Sequence, residues 1–243
     1  MEHFLFDTLI AIFGLIIGSF LTVCIYRIPY GREKGPGNFG EEEQEQSSQE
    51  SEDESSPALA ETETLGVCSP SRSICPSCRK QLYWWHNIPL VSWIILKGKC
   101  YFCGAAIGLR YPLVELLSAL AAVLSFQLHP PATAVVVYIF SCMLIVISVI
   151  DYDYYIIPDV ITFPAMGIGV LLGVVNRFFH IFESPITSGM MDSFWGLLAG
   201  GGFLFAVSEA YYLLRKRVGL GFGDVKLMAV VGLWFGPKAA VYT

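Results

Sequence analysis

Apolar residues fill five long blocks of the chain, about Phe4–Tyr26, Tyr111–Leu128, Ala134–Ile150, Val160–Asn176 and Phe194–Leu214. A sixth begins near Val225 and is still apolar at Thr243. A bilayer core of about 30 Å is crossed by about 20 residues of helix. The pattern therefore predicts an all-α polytopic membrane protein with about six transmembrane helices. The first block has no basic stretch before it and no A-x-A site, and its apolar run is too long for a cleaved signal peptide.

The polar positions orient these spans. Nine of the fifteen Lys and Arg residues lie between Arg27 and Arg110, and Arg215, Lys216, Arg217 and Lys226 fall on the same side by parity. Basic residues mark the cytoplasmic side, so the N-terminus is expected outside, with the long loop and the Arg215–Lys226 connection on the cytoplasmic side. The loop has three parts. Arg27–Gly40 is basic with Gly and Pro breakers, Glu41–Glu63 holds ten acidic residues and no Lys or Arg, and Ser69–Arg110 is rich in Cys, Trp and Tyr. The acidic stretch lacks aromatics and is expected to be disordered. The organisation read from this is a first transmembrane helix (1–26), a basic loop and acidic linker (27–68), a small cytoplasmic module (69–110) and a membrane-embedded domain (111–243).

Composition agrees: 54% of residues are hydrophobic and 15% charged, against about 25% charged in a soluble domain. Without Glu41–Glu63 the formal net charge changes from −6 to +4, so acidity belongs to the linker. No basic face beyond juxtamembrane charge is present, and nucleic acid is not an expected partner; the lipid bilayer is.

Four of the seven cysteines form Cys75-Pro-Ser-Cys78 and, after 21 residues, Cys100-Tyr-Phe-Cys103. Two C-x-x-C turns at about this spacing suit a tetrahedral zinc ion. Four thiolates leave the metal no open position, so its role is structural, in a zinc-ribbon-like module too small to hold together on its own core. Two disulfides or four free thiols are the alternatives, and a reducing compartment favours metal. Cys24, Cys68 and Cys142 are scattered.

Two acidic motifs fall at one membrane edge: Ile150-Asp151 through Pro158-Asp159, closing the third span, and Gly221-Phe222-Gly223-Asp224, opening the sixth. Carboxylates there are costly and are functional candidates. Two at one depth suit peptide hydrolysis, one ionised to take a proton from water and one protonated to polarise the scissile carbonyl. Gly221 and Gly223 let a backbone approach closely. Asp153 and Asp159 read as capping or headgroup-facing residues, Asp159 as an N-cap. Glu115, one turn into the second span, could tune the pair, bind a cationic amine, or bond a neighbouring helix. Trp84, Trp85 and Trp93 read as interfacial anchors, and His86 as a surface or core residue. A proton relay and a non-enzymatic assembly factor are the competing functions. The first expects carboxylates through the midplane; the second leaves the aspartates idle.

Together these motifs resemble the bacterial type IV prepilin peptidases, a group of Gly-x-Gly-Asp membrane aspartic proteases. The resemblance runs through Gly18-Ser19-Phe20-Leu21, Arg27-Ile28-Pro29, the four cysteines, Asn87-Ile88-Pro89-Leu90-Val91-Ser92, Gly108-Leu109-Arg110-Tyr111-Pro112, Glu115 and both aspartate motifs. It implies removal of the leader from prepilins or type II secretion pseudopilins, with Asp151 and Asp224 as the catalytic pair. It also implies methylation of the new N-terminus by S-adenosylmethionine, without naming the residues that bind this donor. Such proteins continue past the sixth span, so the chain is expected to be truncated at Thr243.

Overall fold

The computed structural model of the chain describes residues 2–29, 75, 78, 80–217 and 221–242. The acidic linker Glu41–Glu63 and most of the basic loop before it lie outside the described residues. The described residues are all-helical, with six spans long and apolar enough to cross a membrane. They are α1 (Glu2–Arg27), α3 (Arg110–Leu128), α4 (Pro131–Tyr154), α5 (Asp159–Phe179), a continuous pair α6 (Met190–Leu197) and α7 (Phe203–Arg215), and α8 (Phe222–Tyr242). A 3-10 turn at Trp84–Asn87 and the short α2 (Val91–Ile95) belong to the module between α1 and α3. Several helices outrun their apolar blocks by about a turn, because intrahelical hydrogen bonds still satisfy the backbone after the side chains turn polar. The third span was expected to end at Ile150, but α4 runs to Tyr154, so Asp151 and Asp153 lie in its last turn.

Large apolar side chains such as Phe4, Phe13, Leu117, Leu120 and Phe203 point outward, as lipid allows. Inside are two cores that meet at α4. One face of α4, Tyr138-Cys142-Val146-Ile150 at four-residue spacing, packs on Ile10, Leu21 and Ile25 of α1 and Val114 and Ala122 of α3. Another face, with Val136 and Phe140, packs on Ala165 and Leu172 of α5 and Val230 to Trp234 of α8. Within the spans, buried polar groups find partners, as lipid requires: Ser118 pairs with the Tyr138 hydroxyl at 2.9 Å, and the Trp234 indole N–H donates to the Ala165 carbonyl at 2.8 Å.

Two helix contacts depend on glycine. At Gly14 and Gly18 of α1, an added Cβ would lie 2.6 Å from the Cα atoms of Ala119 and Glu115 in α3, the small-x-x-x-small contact that lets membrane helices approach. The second contact joins α6 to α8, where a Cβ at Gly196 would overlap the Gly232 carbonyl. Just beyond it the chain widens into a π-helical turn, Leu198–Gly202. Because the obstacle at Gly196 is backbone, no rotamer change relieves it. Gly196→Ala is expected to destabilise the protein by about 1–3 kcal/mol as overpacking, seen as a lower thermal midpoint in detergent. An unchanged midpoint would mean that the helices do not approach this closely.

Candidate functional site

One end of the bundle gathers the acidic motifs. Arg110, opening α3, forms a bidentate pair with Asp153 in the last turn of α4, the Nη2–Oδ1 arm at 2.7 Å. Lys226, in the first turn of α8, donates to Asp159 at 2.6 Å. A Cβ on Gly223 would stand 3.0 Å from that of Ile157, in the link between α4 and α5. The starts of α3, α5 and α8 and the end of α4 therefore share one end of the molecule. Asp159 stands one position inside α5, with Pro158 at the N-cap; its carboxylate is used by Lys226 rather than as the expected cap. Asp153 likewise is an ion-pair partner.

Asp151 and Asp224 are placed differently. The Phe140 ring meets Phe235 at 4.6 Å and Trp234 at 5.3 Å between centroids. From this contact the antiparallel helices run toward the same end, eleven residues to Asp151 and ten or eleven to Asp224, about 15–17 Å on each at 1.5 Å per residue. Asp151 continues the stripe Phe140-Leu144-Ile147, and Asp224 the stripe Phe235-Val231-Met228. Counted along the helices, the two aspartates thus lie at about one level, at the end where α4 finishes and α8 begins. Both are exposed. Among the described residues neither carboxylate has a hydrogen-bond or ion-pair partner, and no hydrogen bond joins them. Gly221 sits beside the second: a Cβ there would lie 3.3 Å from an Asp224 carboxylate oxygen.

The four sulfurs of Cys75, Cys78, Cys100 and Cys103 all lie within 4.8 Å of one another, with Cys75 and Cys103 at 3.9 Å. A tetrahedron with metal–sulfur bonds of about 2.3 Å has edges of about 3.8 Å, so the donor set fits zinc. The second knuckle is shaped by a bridge between Lys99 and Ala106 and by Gly104 at φ 69°. The backbone N–H of Cys103 draws the Cys100 thiol down to about 7, which prepares one ligand for deprotonation at neutral pH. Tyr83, Trp85, His86, Tyr101 and Phe102 pack on one another, Tyr83 and Trp85 stacked and the others tilted or edge-on. Trp93 is held within the module, its indole N–H on the Ile107 carbonyl at 3.1 Å and its ring against Gly98. The Trp84 side chain lies outside the described residues.

Between α1, the module and the start of α3 is a cavity of about 780 Å³. Buried Glu115 lines it, accepting from the Leu90 N–H at 2.8 Å and from Ser19. Leu90 is the centre of a three-residue γ-turn, at φ 58° and ψ −47°, with Val91 N–H on the Pro89 carbonyl at 2.5 Å. Such turns are strained in a non-glycine residue. His86 also lines the cavity and is only 8% exposed. Its Nδ1 accepts from the Tyr83 N–H, which assigns the proton to Nε2, and Nε2 has no partner among the described residues. Sequence reading left His86 without a role and did not see this cavity, whose walls come from segments far apart in the chain.

Comparison with known proteins adds the following. Residues 12–128 match the bacterial peptidase A24 N-terminal domain, and residues 138–243 the type IV leader peptidase family. A prepilin leader peptidase/N-methyltransferase of Aeromonas salmonicida (strain A449) is 36% identical over 236 residues, covering 97% of this chain and 75% of that protein. One of the same description from Neisseria gonorrhoeae is 34% identical, covering 95% and 74%. A type 4 prepilin-like proteins leader peptide-processing enzyme of Escherichia coli O78:H11 is 36% identical, covering 92% and 75%. No solved structure matches the chain.

Proposed function

The chain belongs to the type IV leader peptidase family, and on that premise we propose that it removes the leader from prepilins or type II secretion pseudopilins by an aspartic pair, Asp151 and Asp224. The observation that carries the reading is that both carboxylates stand at about one level at the end of the bundle where α4 finishes and α8 begins. In hydrolysis one carboxylate is ionised and takes a proton from water, whose oxygen attacks the scissile carbonyl. The other is protonated, gives its proton to the developing oxyanion, and the pair then supplies the proton that the departing amine needs. Two like charges close together do not both ionise, so one shared proton suits the pair. Gly221 and Gly223 keep side chains away from Asp224 and leave backbone for an extended substrate. Asp153 and Asp159 are neutralised by Arg110 and Lys226, which fits a supporting role for both.

A zinc ion held by Cys75, Cys78, Cys100 and Cys103 would have a closed donor set and would brace the described part of the module between the end of α1 and the start of α3. The basic residues gathered at that end fit a cytoplasmic orientation for the module and both aspartates. Relatives named N-methyltransferases support a second activity, methylation of the exposed N-terminal amine. S-adenosylmethionine would supply the methyl group, and the cavity suits it in kind: a buried carboxylate, an imidazole N–H without a partner among the described residues, and aromatic walls. The test is to incubate purified protein in detergent with a prepilin and follow the substrate by mass. Loss of the leader supports the protease reading, and a further gain of one methyl on adding the donor supports the second activity. An unchanged substrate overturns the first.

A further inference from the structure

A sulfonium methyl donor presents three different faces: a flat heteroaromatic base, hydrogen-bond acceptors on base and ribose, and a fixed positive charge beside them. The 780 Å³ cavity answers each, and its size falls in the usual range for small-molecule sites, about 300–1,000 Å³. Its module wall carries Tyr101 and its α3 wall Tyr111, flat surfaces for a base and attractive ones for a cation. Glu115 is buried, and the donors on it, a backbone N–H and a hydroxyl, are both neutral. A buried carboxylate is costly without a positive partner. The N–H that holds it comes from the strained turn at Leu90, and strain of this kind collects at ligand clamps. His86 supplies the second pointer to a ligand, a buried donor whose Nε2 finds no acceptor among the described residues. Neither His86 nor Glu115 is needed for the leader hydrolysis described above.

We propose that this cavity binds the adenosyl-sulfonium methyl donor, with Glu115 opposite the sulfonium charge and His86 Nε2 donating to an acceptor of the adenosine. The assignment rests on the methylation reading. Glu115→Gln tests it sharply, because a Gln oxygen can still accept from the Leu90 N–H while the charge is gone.

The experiment is equilibrium dialysis of the full chain, in detergent and with zinc content measured, against S-adenosylmethionine and its thioether product S-adenosylhomocysteine, which lacks the sulfonium charge. Wild type is expected to bind both saturably. Glu115→Gln should weaken the sulfonium by about tenfold or more while leaving the thioether within about threefold, the size of a lost charged contact. His86→Phe should weaken both alike. Val91→Trp, at a half-exposed position on the cavity wall, should block both. Sulfonium binding that Glu115→Gln leaves unchanged, or that falls in step with the thioether, overturns the site while methylation stands. If Glu115→Gln loses its zinc, Val91→Trp decides, and unaltered binding there overturns the site. A wild type that binds neither ligand overturns both the site and the methylation reading, with leader release judged separately by its own assay.

Discussion

Asp151→Asn and Asp224→Asn are each expected to lower leader release by about 10²–10⁴-fold, the span of a lost general acid or base. Asn keeps the size and much of the hydrogen bonding, and both positions are exposed, with no side-chain partner among the described residues, so little of the loss should come from folding. The double variant should be about as slow as the slower single one, since members of one catalytic unit are not additive. Asp153→Asn and Asp159→Asn provide the contrast. Each breaks one ion pair at a partly exposed site, worth about 0–1 kcal/mol, and should cost far less rate. The measurement is initial leader release per chain in membranes. An Asp151 or Asp224 variant that keeps about a tenth of the wild-type rate or more does not belong to a general acid–base pair of this strength.

One zinc per chain is the second large effect, and Cys100→Ser is expected to remove it. Structural zinc in small domains binds with about 10–16 kcal/mol at neutral pH, more than the aromatic cluster around Tyr83, Trp85 and Tyr101 can replace. Leader release should fall with the metal, indirectly, through a collapsed module. Acid should act in the same direction. The neighbouring sulfurs share their protons, Cys100 lowered to about 7 and Cys103 raised to about 11, so protons compete with the metal for the four thiolates and zinc content should fall as the pH falls. Metal analysis after purification without chelator gives the stoichiometry, and a value near zero for wild type would refute the assignment.

Much of the architecture is legible in the chain because lipid imposes a length rule. Each of the six spans was found where an apolar run approaches 20 residues, and the four cysteines announced a cluster through their spacing alone. What escaped depends on pairing between distant segments. Asp153 and Asp159 look like solvent-facing helix-end residues until Arg110 and Lys226 are seen beside them. Glu115 reads as one polar residue in an apolar run; its meaning comes from Leu90, 25 positions earlier. His86 carries no periodic signal. The glycines at 196 and 232 look like weak helix formers, and only the crossing of α6 with α8 shows why a side chain has no room there.

The division of the interior at α4 bears on how the two aspartates meet. Asp151 follows Ile150, which is anchored with α1 and α3, while Asp224 rides on α8 within the other core. The aromatic contact of Phe140 with Phe235 lies about 15–17 Å away along both helices, but two ties stand much closer: Gly223 against Ile157 and Lys226 on Asp159. The position of Asp224 is therefore governed where the start of α8 rests on the link between α4 and α5. A side chain added at Gly223 would meet Ile157 and push the start of α8, and Asp224 with it, away from that link.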